Sequence, residues 1–385
     1  MSTTILIAGG GTGGHVFPAL AVAEAMRALA DVEIVFCGAK RGLEERVIPK
    51  SGFRFERLEV DPIRGRGLIG AARGMLTAGR ATLHSFETLR AAHPHAVLSV
   101  GGYAAGPVTL AAGLRGIPIA VLEPNCAAGV TNRVLGSFAR RAYVACEEVA
   151  GVFRRDSVRV YGVPLRPGFS PRLGATTGPP RLLVMGGSQG SAALNERLPA
   201  AIGLLVANGR PVRVVHQAGR GRDGEVREAY ARVGVQGTTV AAFVEDVAST
   251  IADADLVIAR AGAGTIAEIA AIGRASILVP YPHAADNHQA RNAEALARQG
   301  AAVCVRQEQA DAARLAWEIG RLLYDDASRA KMAAAARARG RPNAARDVAI
   351  DLLGLAGGVP SGEPFVHDKD GSACFPDAIA ARRAG

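Results

Sequence analysis

The chain has 385 residues, 49% of them apolar, and 45 Lys and Arg against 35 Asp and Glu give it a formal charge of +10. That length exceeds one ordinary core, so two domains are expected, with apolar residues enough for two buried sheets. The basic residues are 41 Arg and 4 Lys beside abundant Ala and Gly, a skew that coding bias explains; no aromatic-plus-basic motif accompanies it, which argues against a nucleic-acid partner.

Five cysteines (Cys37, Cys126, Cys146, Cys304, Cys374) are an odd number without metal-type spacing, which points to a reducing compartment. Met1-Ser2-Thr3-Thr4 leads straight into a strand-like run, with no signal-peptide pattern. Ala96 to Leu114 carries no charge over 19 residues, the length of a membrane span. Gly101, Gly102, Gly106, Gly113 and Pro107 break it, so a buried strand, a glycine loop and a helix are expected there instead.

In chain order, Ile5–Ala8 reads as a buried strand, followed by five glycines within six residues and a helix over about Val16 to Leu29. Such a turn brings backbone N–H groups close to a phosphate or another close-packed ligand. Gly9, Gly11 and Gly14 also satisfy G-x-G-x-x-G, but so glycine-rich a run does so almost automatically. His15 at the mouth of the turn distinguishes it, since a dinucleotide site has no need of a titratable group there and general-base chemistry does. The second strand, Val32–Cys37, ends in Gly38-Ala39-Lys40-Arg41, not in the acid that holds a ribose; the basic pair leaves an NADP enzyme or a solvated strand end as readings.

Further strands are expected at Ala96–Val100, Ile119–Leu122, Ala142–Ala145 and Val158–Val160, alternating with helices as in a parallel α/β sheet. Gly162-Val163-Pro164-Leu165-Arg166-Pro167 opens a linker that ends at Gly178-Pro179-Pro180. The plan then restarts. Arg181–Met185 is a strand, Gly186–Ser191 a glycine loop and Ala192–Val206 a helix, and strands follow at Val212–His216, Thr239–Phe243, Leu256–Ala259, Ile277–Val279 and Ala302–Val305. Helices are expected at Asp311–Tyr324, Ala327–Arg339 and Ala344–Leu353.

Several constellations could carry chemistry. Thr265, where a helix starts after Ala261-Gly262-Ala263-Gly264, offers N–H groups and a hydroxyl to a phosphate, and Glu268 binds ribose hydroxyls or forms a capping box with Thr265. Ser188 reads as a diphosphate contact or an N-cap. Asp286, His288, Gln289 and Asn292 suggest sugar-hydroxyl recognition, with 288, 289 and 292 on one helix face. Asp253-Ala254-Asp255 has the form of a metal-binding D-x-D, but it precedes its strand, whereas ligands gather at carboxyl ends, so no metal site is assigned.

Taken together, these motifs resemble the MurG family, the UDP-N-acetylglucosamine:lipid I N-acetylglucosaminyltransferases of peptidoglycan synthesis. The resemblance runs over roughly residues 3–355 and rests on Gly9–His15, Gly101–Tyr103, Glu123–Asn125 with Gly129–Asn132, Gly162–Arg166, Gly186–Ser191, Arg260–Glu268 and the Gln289/Asn292 pair. It implies a GT-B α/β fold, two Rossmann-like doubly wound parallel-sheet domains with the site in the cleft between them. The implied divisions are an acceptor and membrane-facing domain over 1–164, a UDP-GlcNAc domain over 165–340, a helix over 341–356 packing back on the first domain, and a disordered tail over 357–385.

By the same resemblance the reaction is inverting and metal-independent, with no cofactor. His15 matches the general base, and Thr12, Gly13 and Gly14 lie in the acceptor-side loop. Asn125 matches a residue near the donor sugar, Arg166 and Ser188 donor contacts, and Val244 the position whose backbone reads the uracil. Thr265 matches a phosphate contact, Glu268 the ribose acid, and Gln289 and Asn292 contacts to GlcNAc hydroxyls. The sequence departs from the family at Leu122-Glu123-Pro124-Asn125, where the family often has a histidine first, and at His288-Gln289, where it commonly has Gln-Gln. The implied partners are UDP-GlcNAc, lipid I, an anionic membrane surface and other cell-wall synthesis proteins, at the cytoplasmic face of a bacterial inner membrane. Rival readings are another nucleotide-sugar enzyme of the same fold (a lipid glycosyltransferase or a UDP-GlcNAc 2-epimerase) and a non-catalytic nucleotide-sugar-binding scaffold.

For the membrane, Ile63 to Leu76 mixes apolar residues with arginines. Arg64, Arg66, Leu68, Ile69, Arg73, Met75 and Leu76 are the expected contacts. Glycines at 65, 67, 70 and 74 favour a mobile loop ordered by the membrane, against an ordinary core-packed helix.

Overall fold

The computed structural model describes residues 3–40, 42–58, 67–172, 178–187, 189–358, 366–367 and 373–374, the side chains of 67–78 and of the last two pairs excepted. The chain divides into two compact units, one of Met1–Pro124, Ala128–Arg166 and Asn343–Gly385, the other of Asn125–Ala127 and Pro167–Pro342.

The first unit is built on a seven-stranded parallel sheet of β1 (Thr3–Ala8), β2 (Val32–Ala39), β3 (Arg54–Leu58), β4 (Ala96–Ser99), β5 (Ile119–Glu123), β6 (Arg141–Val144) and β7 (Val158–Val160). Their order is β3-β2-β1-β4-β5-β6-β7, so the winding reverses between β1 and β4. Ile5, Leu6, Ile7 and Ala8 are all buried, as a central parallel strand covered on both faces requires. Helices α1 (Gly13–Leu29), α2 (Glu44–Val47), α3 (Gly67–Ala92), α4 (Ala105–Leu114) and α5 (Val130–Leu135) connect the strands.

One strand that the sequence does not mark is added here, and one expectation is corrected. Arg54–Leu58 forms the edge strand β3, although only Leu58 in it is buried and no apolar alternation marks it. The stretch expected as a mobile loop is helical from Gly67, because its glycines are outnumbered by good helix formers such as Ala71, Ala72, Met75 and Leu76 and the helix continues into Ala81, Ser85 and Leu89, which are buried.

The second unit repeats the plan with β8 (Arg181–Met185), β9 (Arg213–Gln217), β10 (Thr238–Ala241), β11 (Leu256–Ala259), β12 (Ala275–Leu278) and β13 (Val303–Cys304), in the order β10-β9-β8-β11-β12-β13. Its helices are α6 (Ala192–Ala207), α7 (Asp223–Arg232), α8 (Val247–Asp253), α9 (Ala263–Ile272), α10 (His288–Ala297), α11 (Ala312–Leu323) and α12 (Asp326–Arg339). Asp246, Asp311 and Asp325 cap α8, α11 and α12 by accepting a first-turn N–H.

The final helix, α13 (Ala344–Leu355), belongs to the first unit. Its Val348, Ala349, Leu352 and Leu353 join the core that holds Val22 and Met26 of α1. Asp351 accepts from Tyr143 Oη and Arg141 Nε, each at 2.8 Å, pinning the helix to β6. Burial and that neighbouring carboxylate push the Tyr143 phenol well above its ordinary pKa. In the segment expected as a disordered tail, Val366–His367 pairs antiparallel with Ala373–Cys374; residues 359–365, 368–372 and 375–385 lie outside the described residues.

Candidate active site

In an open parallel sheet the strand order opens a crevice at the carboxyl ends where the winding reverses. In the first unit that point lies between β1 and β4. The loop after β1 has three consecutive glycines in conformations that side chains rarely adopt, with φ of 133°, 152° and 97° at Gly9, Gly10 and Gly11. A Cβ on Gly9 would meet the carbonyl of Gly101 in the loop after β4, and one on Gly102 the carbonyl of Gly10, so the two loops pack backbone against backbone.

Thr12 is the exposed N-cap of α1 without a side-chain cap bond, and Gly13, Gly14 and His15 are the first three helical residues. The helix thus starts three residues before the expected Val16. His15 is half-buried, with Nε2 3.5 Å from where a Cβ on Gly101 would stand. Beneath Gly101 lies a buried polar cluster. Asn132 donates to Leu122 O (2.9 Å) and Glu123 Oε2 (3.1 Å) and accepts from Ser99 Oγ (3.4 Å), while Glu123 also accepts from Gly129 N (2.9 Å).

The sequence shows no acid at the end of the second strand, yet the fold brings one to the glycine loop. Glu44, 2% exposed, accepts from Gly11 N at 2.8 Å and Ala39 N at 3.1 Å. Its separation of 33 residues from Gly11 hides it from any local motif. The carboxylate is turned into the protein, a different use from a ribose-binding acid at a strand end.

In the second unit the reversal lies between β8 and β11. Gly190 packs so closely on the Ala218 carbonyl that a Cβ there would overlap it. Gln217, 3% exposed at the end of β9, donates from Nε2 to Gly187 O at 2.7 Å and accepts from Val244 N at 3.4 Å, joining the glycine loop to the half-buried Val244. Behind it, His216 is wholly buried, with Nδ1 3.0 Å from Tyr230 Oη and Nε2 3.1 Å from Asn195 Oδ1; Asn195 Nδ2 donates to Ala218 O at 2.9 Å. Burial pushes the His216 pKa down to about 4. Ser188 lies outside the described residues, and Ser191 is the residue that caps α6, accepting from Leu194 N at 3.3 Å.

At the next loop, Gly262 is the N-cap of α9 and makes no side-chain cap bond. Thr265 is therefore the third helical residue, inside the helix and not at its start, which removes the capping box with Glu268. Both side chains are half-buried on the first turns of α9. Arg260, at the end of β11, donates to Val279 O (3.1 Å), Pro280 O (3.2 Å) and Gln307 Oε1 (2.6 Å), fixing the loop after β12; burial lowers its pKa. In that loop Asp286 and Asn287 take left-handed φ of 52° and 56°, a strained approach to α10.

Gln289 accepts from Tyr281 N at 3.0 Å. Asn292, 3% exposed, accepts from Cys126 N at 2.8 Å and donates to Asn125 Oδ1 at 3.1 Å and Ala261 O at 3.3 Å. Its amide thus orients Asn125. Arg166 is exposed, at the end of the first unit's Ala128–Arg166 segment. Asp255 accepts from Arg181 N at 2.8 Å, which ties the starts of β11 and β8 together. Of the membrane residues, Arg64 and Arg66 lie outside the described residues, as do the side chains of Leu68, Ile69, Arg73, Met75 and Leu76.

Residues 5–144 match the Glycosyltransferase family 28 N-terminal domain and residues 181–348 the Glycosyltransferase family 28 C-terminal domain. With two doubly wound sheets, these matches define a glycosyltransferase of GT-B type. A protein of Sorangium cellulosum (strain So ce56), named UDP-N-acetylglucosamine--N-acetylmuramyl-(pentapeptide) pyrophosphoryl-undecaprenol N-acetylglucosamine transferase, is 50% identical over 92% of this chain and 88% of its own length. One of the same name from Anaeromyxobacter dehalogenans (strain 2CP-C) is 42% identical over 93% and 95%. The crystal structure of Acinetobacter baumannii MurG superposes with a TM-score of 0.78 at 32% identity, covering 91% of this chain and 99% of that one. The chain belongs to the MurG family.

Proposed function

We propose that the protein transfers GlcNAc from UDP-GlcNAc to the C4 hydroxyl of the muramoyl sugar of lipid I, giving lipid II for peptidoglycan synthesis. The observation that carries this reading is the 50% identity, over 92% of the chain, to a transferase whose name states that activity.

The first unit supplies the base. His15 takes the proton of the attacking hydroxyl, a role worth ~10²–10⁴ in rate. The hydroxyl oxygen attacks the anomeric carbon from the face opposite UDP, which inverts the configuration. Thr12, Gly13 and Gly14 line the acceptor side.

The second unit holds the donor. Val244 reads the uracil through its backbone, Glu268 takes the ribose hydroxyls, and Thr265 and Ser188 contact the diphosphate. Gln289 and Asn125 contact the sugar, with Asn292 holding Asn125. UDP leaves with growing negative charge, met by the helix N-termini of α6 and α9 and by Arg166, so in this reading the leaving group needs no metal ion.

The acceptor is lipid-linked, so the protein works at the cytoplasmic face of the inner membrane. No described helix is long and apolar enough to cross a membrane. A peripheral surface is supported by Leu83 on α3 (69% exposed) and Leu110 and Leu114 on α4 (50% and 69%), flanked by exposed Arg80 and Arg115. These lie beyond the stretch marked in the sequence.

Release of UDP from UDP-GlcNAc tests the reading. It is expected only when lipid I is added. Release without acceptor, or conversion of UDP-GlcNAc to its 2-epimer, overturns it; no turnover with either points to a scaffold.

A further inference from the structure

We propose that Glu44 is a positioning residue of the first glycine loop: its buried carboxylate selects the loop path that sets the first turn of α1, and with it His15. The proposal rests on the reading of His15 as the base.

Three glycines in a row at positive φ carry no side chains to hold their path, and glycine has the widest choice of backbone conformations. The loop needs outside restraints. Gly9 N donates to Cys37 O at 3.0 Å and Gly10 N to Gly101 O at the long distance of 3.4 Å. Gly11 N is held by Glu44, at 2.8 Å, and Gly11 is four residues from His15. The other carboxylate oxygen is anchored to Ala39 N on β2 at 3.1 Å, so the side chain links the loop to the sheet.

The surroundings are shaped around this carboxylate. A Cβ built on Gly10, Gly38 or Gly42 would overlap the Glu44 side chain, and those glycines come from three segments, the loop, β2 and the bend before α2. Burying a carboxylate carries a desolvation cost that its hydrogen bonds offset only in part. The second glycine loop is braced by the neutral amide of Gln217, so a charge is not required merely to hold such a loop. Gly11 N and Ala39 N each meet a different oxygen of the side chain; a carboxylate supplies two acceptor oxygens, and an amide of the same shape supplies one.

The test compares Glu44→Gln with the parent in the full chain, using UDP-GlcNAc and lipid I. The Gln variant turns an N–H₂ toward one of the two backbone N–H donors, so the loop shifts. Misplacing a reacting group by about 1 Å can cost roughly 10²-fold, and kcat is expected to fall about 10- to 100-fold with the KM for UDP-GlcNAc within about 2-fold. Unchanged kcat overturns the proposal, and so does a loss that only tracks the unfolded fraction seen by circular dichroism.

Gly42→Ala is an independent probe outside the loop. Gly42 is not in the left-handed region, and the new methyl pushes the carboxylate aside. It should lower kcat too, and adding it to Glu44→Ala should cost nothing more, since the group it displaces is already gone. Additive losses overturn the proposal. A His15→Ala arm separates the two readings. If His15→Ala stays active, the base assignment fails; if it is inactive while Glu44→Gln is fully active, the Glu44 proposal fails alone.

Discussion

In the first unit a carboxylate stands behind the glycine loop and takes up the Gly11 N–H; in the second an amide stands behind it and donates to the Gly187 carbonyl. Glu44 takes up a loop donor, which is then not available to a ligand. Gln217 uses a loop acceptor, adds no charge, and leaves loop donors for a ligand, as anion-binding loops require. The same backbone motif is thus adapted in opposite senses. In the proposed function the first loop stands beside the base and the second beside the diphosphate of the donor.

The largest effect should come from removing the base itself. His15→Ala is expected to lower kcat by ~10²–10⁴ while UDP-GlcNAc binding, followed by calorimetry, stays close to the parent value. A matching loss of donor affinity would place His15 with the donor and erase the division between the units.

Acid should weaken the second unit through His216, whose network supports the Ala218 carbonyl under the glycine loop. Its pKa is lowered from 6.5 to about 4 in the fold, so as pH falls the unfolded chain takes up the proton first. Stability from this group is complete above pH 6.5 and is lost as pH falls to about 4, on the order of 3 kcal/mol in all. Trp317, the single tryptophan, lies on α11 of this unit, so urea unfolding followed by its fluorescence at pH 4.5 and 7 reads the effect. A His216→Asn variant should show a flatter pH dependence; an equal slope refutes the assignment.

Gln217→Glu places the first loop's chemistry behind the second. The ionised carboxylate cannot donate to Gly187 O, and UDP-GlcNAc affinity should fall by ~1–3 kcal/mol. Unchanged affinity would mean that the brace is irrelevant to the donor. The smallest effect concerns the membrane. Replacing Arg66 and Arg73 with Gln should weaken sedimentation with anionic vesicles by about 1 kcal/mol per charge, less at high salt. Binding equal to that of the parent would take this segment out of the docking surface.

Much of the fold is written locally. Buried parallel strands are unbroken apolar runs, so Ile5–Ala8, Ala96–Leu98, Leu182–Met185 and Leu256–Ala259 stand out, and glycine runs after three of them mark loops that must pack closely. The edge strand Arg54–Leu58 does not stand out, because one face of it meets solvent. Single-residue propensity misled at Gly67–Gly74, where tertiary packing further along α3 sustains a helix that its glycines weaken.

Residue type, period and turn chemistry therefore determined the two α/β units and their glycine loops, since each depends on neighbours a few positions apart. Which groups stand behind those loops was decided only by the tertiary structure. Glu44 reaches Gly11 across 33 residues and Gln217 reaches Val244 across 27. Strand order sets those meetings. A doubly wound sheet brings to one edge the carboxyl ends of strands far apart in sequence, and no local period records which of them will be neighbours.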